Sequence, residues 1–114
     1  MILSAEAKNA MLQGFVDKLN VGTNAKLNIL VGADIAASFD MPNPIEQSIV
    51  SGVLSFNLPV RVLATLSGTP TSSKLVNSLG VNIAEFEIGS EIVLDKLGVY
   101  AGGYVSLTRL TITI

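Results

Sequence analysis

The sequence predicts a mainly β domain, a small antiparallel β-sandwich or barrel with one N-terminal α-helix. Three observations predict it. Apolar residues recur every three to four positions over the first twenty residues and every two from about residue 25 onward. Short glycine-containing turns then punctuate the chain at the spacing of a sandwich or barrel. The 114 residues suffice for one core and not for two. The chain therefore reads as a single domain over 1–114, with a helix at about 4–19 and a β domain at about 25–114.

In the helix, Ala7, Ala10, Met11 and Phe15, with either Leu12 or Leu19, repeat at spacings of three and four, while Glu6, Lys8, Asn9, Gln13 and Asp17 fall elsewhere. Ser4 is the predicted N-cap, and Glu6 lies in the first turn, where the helix dipole favours an acid. Asn20 and Gly22 stop the helix. Gly14 costs about 1 kcal/mol relative to Ala inside a helix, so it either marks a close packing contact or is simply tolerated.

The strands follow in order. Leu27, Ile29 and Val31 alternate with Lys26, Asn28 and Leu30 in a strand that ends at Gly32. Residues 33–47 read as a long loop, because Pro42 and Pro44 forbid both helix interior and central strand. A loop of that length in a compact domain is usually functional or an interaction arm. Residues 49–58 and 60–66 read as two strand segments meeting at a bend at Pro59. A Ser/Thr/Gly/Pro loop at 68–73 leads to strands at 75–77 and 81–88, which flank Ser78-Leu79-Gly80, a hairpin turn whose glycine takes the positive φ. A short strand at 91–94 and a turn at 98–103 precede the final run, 104–114, the strongest strand signal in the chain. Its apolar phase changes part way: Val105 and Leu107 share one face, and Leu110, Ile112 and Ile114 share the other. Either both faces are covered or a bulge near Thr108 and Arg109 flips the register. A strand so rich in Thr and Ile is sticky unless paired, so it is expected to be central or capped.

Composition excludes more than it names. Without Cys there is no disulfide framework, thiolate nucleophile or Cys-ligated metal, and without His there is no Ser-His-Asp triad or His-ligated metal. What remains is carboxylate or Lys chemistry, and no pair of those residues is placed persuasively, so no catalytic, cofactor-binding or metal-binding residue is assigned. Glu85, Glu87, Glu91 and Asp95 lack the order of an EF-hand loop and read as solvated strand and turn positions. As a glycosidase pair they lack aromatic sugar platforms. Gly98, Gly102 and Gly103 precede a strand rather than a helix, which makes them a turn and not a phosphate loop. The seven Lys and Arg residues are scattered singly, so nucleic acid is not an expected partner. The most apolar stretch, 29–39, is broken by Gly32 and Asp34 and is shorter than the roughly 20 residues of a spanning helix, and no basic-then-apolar leader opens the sequence. No membrane partner is expected.

Charged residues make up only 14% of the chain against 49% hydrophobic, and mean hydropathy is +0.58. Interface cores are depleted in charge, so this balance is that of a small domain whose flanks are covered by partners.

Several motifs, taken in order, resemble small β-rich virion proteins of tailed bacteriophages. They are Leu3-Ser4 followed by Asn9-Ala10-Met11, the Lys26-Leu27-Asn28-Ile29-Leu30-Val31-Gly32 strand, Ser67-Gly68-Thr69 and Asn77-Ser78-Leu79-Gly80. The set closes on Ala101-Gly102 and Val105-Ser106 through Leu110-Thr111-Ile112-Thr113-Ile114. The similarity is collinear over nearly the whole chain. Two places depart from it: Ser72-Ser73-Lys74 replaces an aromatic pair, and the segment around Pro44 is not a small-residue loop. The resemblance implies a structural part of the particle, assembled in the bacterial host cytoplasm, and no catalytic residues.

The expected function is thus non-enzymatic: a structural virion protein, most concretely a capsid decoration or cement protein that contacts copies of itself and the major capsid protein. A tail, neck or fibre component is the alternative within the virion, and a carbohydrate-binding or adhesin module the alternative outside it. The expected interface residues are Ile35, Phe39, Met41 and Ile45 in the 33–47 loop, with Met11 and Phe15 on the helix, where a docking face and a core stripe are both possible readings. Tyr100 and Tyr104 read as a recognition patch or as rim residues. Replacing Phe39 and Ile45 by Asp is expected at this level to weaken attachment and leave the fold intact.

Overall fold

The computed structural model describes residues 1–89 and 91–114. Strand accounts for 44% and helix for 13%, so the sheets carry the fold, a small β-sandwich with one helix at its N-terminus. The helix α1 is Ala5–Leu19. The strands are β1 (Lys26–Val31), β2 (Asp34–Asp40), β3 (Glu46–Val50), β4 (Val53–Phe56), β5 (Val62–Leu63), β6 (Ser72–Val76), β7 (Asn82–Glu87), β8 (Ile92–Leu94), β9 (Tyr104–Val105) and β10 (Leu107–Thr113). They form one sheet in the order β2-β1-β6-β7, a second in the order β3-β4-β10-β8, and the two-stranded pair β5-β9.

The core is set by which strand residues turn inward. In the first sheet Phe39, Leu27, Leu75 and Ala84 stand opposite one another in register, one rung across four strands. The β1–β2 register shifts between Ile29 and Leu30, and both residues are buried. The step takes one residue of β1 against two of β2, so β2 carries the bulge at Ala36 and buries Ala36 and Ala37 in succession. Leu54, Phe56, Ile92, Leu94, Leu107 and Leu110 supply the second sheet's side of the same core.

The 33–47 segment is not a loop. Residues 34–40 pair along the whole of β1, and the prolines lie just beyond, in a crossover that carries the chain to the second sheet through a cis Asn43–Pro44 bond. Nor is 49–58 one strand. Ser51 (φ 49°) and Gly52 (φ 79°) are both left-handed, so β3 and β4 join in a two-residue hairpin that the Ser-Gly pair makes possible. The 68–73 loop is shorter than expected, because Ser72 and Ser73 already belong to β6. The 60–66 segment is strand only at Val62–Leu63, and the final run is divided between β9, which pairs with β5, and β10 in the second sheet. Asn77 to Gly80 forms the β6–β7 turn, with Gly80 at φ 84°. The last strand shifts register between Leu107 and Arg109, so Leu107 and Leu110 both face inward, and it is central, between β4 and β8.

The helix begins as predicted, with the Ser4 hydroxyl accepting from the Ala7 N–H at 3.1 Å. Its inward face is Leu12, Val16 and Leu19, whereas Met11 is 57% exposed. The buried stripe is therefore rotated from the predicted one. Of the two alternatives at Gly14, the packing contact is excluded: a Cβ there would meet nothing within 4 Å.

Asparagines lock the helix to both sheets. Asn9 Oδ1 accepts from the Gly52 N–H in the β3–β4 turn at 2.9 Å. Buried Asn77, in the β6–β7 turn, donates its amide to the Lys18 carbonyl (3.3 Å) and accepts from the N–H groups of Leu79 and Val81 (3.0 Å each). Asn20 accepts from the Ile45 N–H and donates to Glu46 Oε1, 2.9 Å each, and so fixes the crossover.

Two stability effects follow. Gly14→Ala should raise unfolding free energy by roughly 1 kcal/mol in urea titration, because the helix gains propensity and nothing clashes. Asn77→Ala should lower it by about 3 kcal/mol, since it strands a helix carbonyl and two turn N–H groups.

Candidate interaction surfaces

The six residues expected at an interface divide cleanly. Phe39, Met41 and Ile45 are 0% exposed and belong to the core. Phe39 is held inward by pairing opposite Leu27, and Met41 and Ile45 bracket the crossover. The Met41 N–H donates to the Ala25 carbonyl at 2.9 Å, and the Met41 carbonyl accepts from the Asn24 amide at 2.6 Å. Asn43 donates to the Thr23 carbonyl at 2.9 Å, and Asn57 to the Pro44 carbonyl at 3.1 Å. A segment tied down this way presents no apolar surface to a partner, which corrects the assignment of those three residues. Ile35 remains exposed at 49%, Met11 is exposed beside it in character, and Phe15 is half-buried against the core.

A second exposed apolar surface was not singled out as a whole in the sequence. Residues 60–68 and 97–105 form one antiparallel ribbon. Val62 and Leu63 pair with Val105 and Tyr104, Ala64 bonds to Gly102 and Gly103 at 2.8 Å each, and Gly68 and Val99 exchange bonds of 2.9 and 2.8 Å. Val60, Leu63, Leu66, Tyr100 and Tyr104 are all exposed on it. The Thr65 N–H donates to the Ala36 carbonyl at 2.7 Å and so seats the ribbon beside β2. The sequence shows a strand segment at 60–66, a turn at 98–103, a strand from 104 and two Tyr residues; their union depends on pairings some forty residues apart.

Chemistry-bearing residues do not gather. Among the described residues no group of three or more acids is placed to hold a metal. Glu85 and Glu87 are exposed on β7, and Glu85 lies 3.6 Å from Lys74. Asp95 accepts from the Ser106 N–H at 3.1 Å, a role in bracing the connection between β8 and β10. Gly102, at φ 84°, belongs to the turn before β9. A slot of about 430 Å³ opens where β4 and β10 part, lined by Gln47, Ser55, Asn57, Thr108 and Arg109 among others. Much of its polar lining serves the fold: the Asn57 amide donates to the Pro44 and Glu46 carbonyls, and the Thr108 hydroxyl to the Val93 carbonyl. Its one aromatic, Phe56, is 3% exposed and offers no ring face for a sugar. No helix among the described residues is long and apolar enough to cross a membrane.

Comparison with protein-family models, curated proteins and solved structures finds no match to this chain.

Burial divides the test substitutions. Phe39→Asp or Ile45→Asp should abolish the folded state, because an unpaired carboxylate in a dry core costs several kcal/mol out of a total of about 5–15. Ile35→Asp should change stability by no more than about 0.5 kcal/mol. Circular dichroism and urea titration of the three variants separate the cases.

Proposed function

We propose that this protein is a non-enzymatic structural component of a tailed-phage particle, most concretely a capsid decoration or cement protein. The observation that carries the reading is the pairing of a charge-poor chain with apolar side chains left in water. The chain has 14% charged residues, and Met11, Ile35, Leu63, Tyr100 and Tyr104 are 48% exposed or more. The collinear resemblance to phage virion proteins supports the same reading.

The mechanism is additive contact. Each apolar side chain removed from water contributes roughly 25 cal/mol per Å², and on a lattice many such weak contacts act together through effective concentration. Helix α1 contributes Met11 and the half-buried Phe15, and β2 contributes Ile35. Phe39, Met41 and Ile45 support these contacts from beneath by holding β2 and the crossover rigid. The reading assigns no cofactor, nucleic acid or membrane partner. The glycan-binding alternative loses ground because the slot between β4 and β10 has no exposed aromatic face.

Quantitative mass spectrometry of purified virions against the major capsid protein tests this directly. Hundreds of copies are expected for a decoration protein. A count of about six to a few dozen would place it in the neck, tail or fibres, where rings of that symmetry occur. Absence from the particle would overturn the structural reading. Within a positive result, Met11→Asp and Ile35→Asp should reduce occupancy without unfolding the protein.

A further inference from the structure

The second sheet and the ribbon share one strand pair that opens in its middle. β4 meets β10 at Ser55 and Thr111, and β5 meets β9 at Val62 and Val105, so the same two stretches of chain are antiparallel partners at both ends. Between those pairs residues 56–61 lie on one side and 106–110 on the other, six against five, so the ladder cannot run through in one register. Local chemistry parts the two sides. The Asn57 N–H donates to the Ile45 carbonyl at 2.9 Å, and its amide to the Pro44 and Glu46 carbonyls at 3.1 and 3.0 Å, which draws that side toward the crossover. Pro59 has no N–H to give. On the other side Ser106 exchanges bonds with Asp95, at the end of β8, its N–H donating to Oδ1 at 3.1 Å and its carbonyl accepting from the Asp95 N–H at 3.0 Å.

The slot of about 430 Å³ lies in this gap, walled by four consecutive residues of each side, 55–58 and 108–111, with Gln47 at the rim. Among the described residues, no hydrogen bond reaches the backbone of 58–61, and β10 has no paired residue on this side from Leu107 to Leu110. The side chains of Gln47, Ser55 and Thr111 likewise hold no hydrogen bond. Arg109 is the one charged residue of the lining. Of the acids on the flanking strands, Glu46 accepts from the Asn20 amide at 2.9 Å, Asp95 from Ser106, and Glu91 lies across β10, where its carbonyl accepts from the Thr111 N–H at 3.2 Å. The slot thus offers neutral hydroxyl and amide groups beside an unpaired strand margin.

We propose that this slot binds a short extended peptide of a partner protein, which adds as a strand to the open margin of β10 and presents Ser, Thr or Asn side chains to Gln47, Ser55 and Thr111. An unpaired strand margin is a template for another chain, and backbone groups repeating at strand spacing are matched by the backbone of an extended peptide. At roughly 3.3 Å per residue, walls of this length seat about three to four residues of it. The volume falls within the roughly 300–1,000 Å³ of binding pockets. The lack of an exposed aromatic face, which disfavours a sugar, does not count against a ligand held by its backbone. This site goes beyond the assembly reading and does not rest on it.

A synthetic library of capped hexapeptides, randomised over Ser, Thr, Asn, Val and Leu, selected on the immobilised full chain tests the inference, with calorimetry of the enriched sequences. These should bind the wild type and lose at least about tenfold in affinity against Ser55→Trp, which fills the slot from its wall. Circular dichroism verifies the fold of that variant, and Gln47→Trp, at an exposed position on the rim, serves in its place if it fails to fold. Methylating the peptide's backbone nitrogens one at a time should cost about tenfold at every second residue and little at the residues between, because a strand offers alternate N–H groups to one neighbour. No enriched sequence, equal affinity for wild type and blocked variant, or indifference to methylation at every position would overturn the proposal. Failure of this selection leaves the proposed function standing, whereas absence of the protein from virions overturns that function and leaves the peptide site in place.

Discussion

The structure depends on how the C-terminal end of helix α1 is satisfied. A helix end leaves carbonyls without partners, and here the sheets supply them. Asn77 reaches the Lys18 carbonyl from the β6–β7 turn, and the Ser78 hydroxyl donates to the Val21 carbonyl at 2.6 Å. Asn20, the last residue of the helix exit, holds Ile45 and Glu46 where the chain passes to the second sheet. Gly22 follows from this proximity: it sits at φ 74°, and a Cβ there would come within 2.5 Å of Ser78 Oγ. With Asn9 holding the β3–β4 turn, the helix spans from a hairpin of one sheet to a hairpin of the other. The apolar contacts of Leu12, Val16 and Leu19 supply most of the energy of that placement, and the asparagines supply its direction.

That arrangement explains the division of apolar residues between interior and surface. A chain this hydrophobic fills its core from β1, β2, β4, β6, β7, β8, β9 and β10 together with one helix face, and the remainder stays outside. The remainder is spread over one flank of the helix, the start of β2 and the ribbon along it, and over turns and edges where Val50, Leu58, Leu79 and Val81 are exposed. Two surface ion pairs, Lys26–Asp40 at 3.1 Å and Lys74–Glu85 at 3.6 Å, are exposed and lie across neighbouring strands, so they assist register more than stability. Few charges therefore share the surface with these apolar flanks.

Elements governed by local chemistry were legible in the sequence. Ser4 as N-cap, the Asn77–Gly80 turn, the displaced phase at Thr108–Arg109 and the central place of the last strand all follow from residue type and period. The misreadings share a cause. Prolines 42 and 44 drew the preceding residues into a supposed loop, although proline constrains only its own position and the one before it. The strand at 34–40 is obscured because it carries a bulge itself and buries Ala36 and Ala37 in succession. Read as part of that loop, Phe39, Met41 and Ile45 fall on the surface, whereas pairing of 34–40 with β1 buries them. The Ser51–Gly52 hairpin was missed inside an unbroken apolar run, and the ribbon could not be seen because its two halves meet only in the folded chain.

The order of the strands has a consequence for how the molecule comes apart. The chain lays down β1 and β2 of the first sheet, leaves to make β3 and β4 of the second, returns for β6 and β7, and only then completes the second with β8 and β10. Neither sheet is contiguous in sequence, so no cut yields a half that closes a sheet of its own. Pairings such as Leu27 with Leu75, and Leu54 with Ile112, demand that distant segments meet before either is rewarded. The two layers are therefore mutually conditional, and loss of one removes the seat of the other. Such a weave unfolds as a single cooperative unit and assembles slowly for its size.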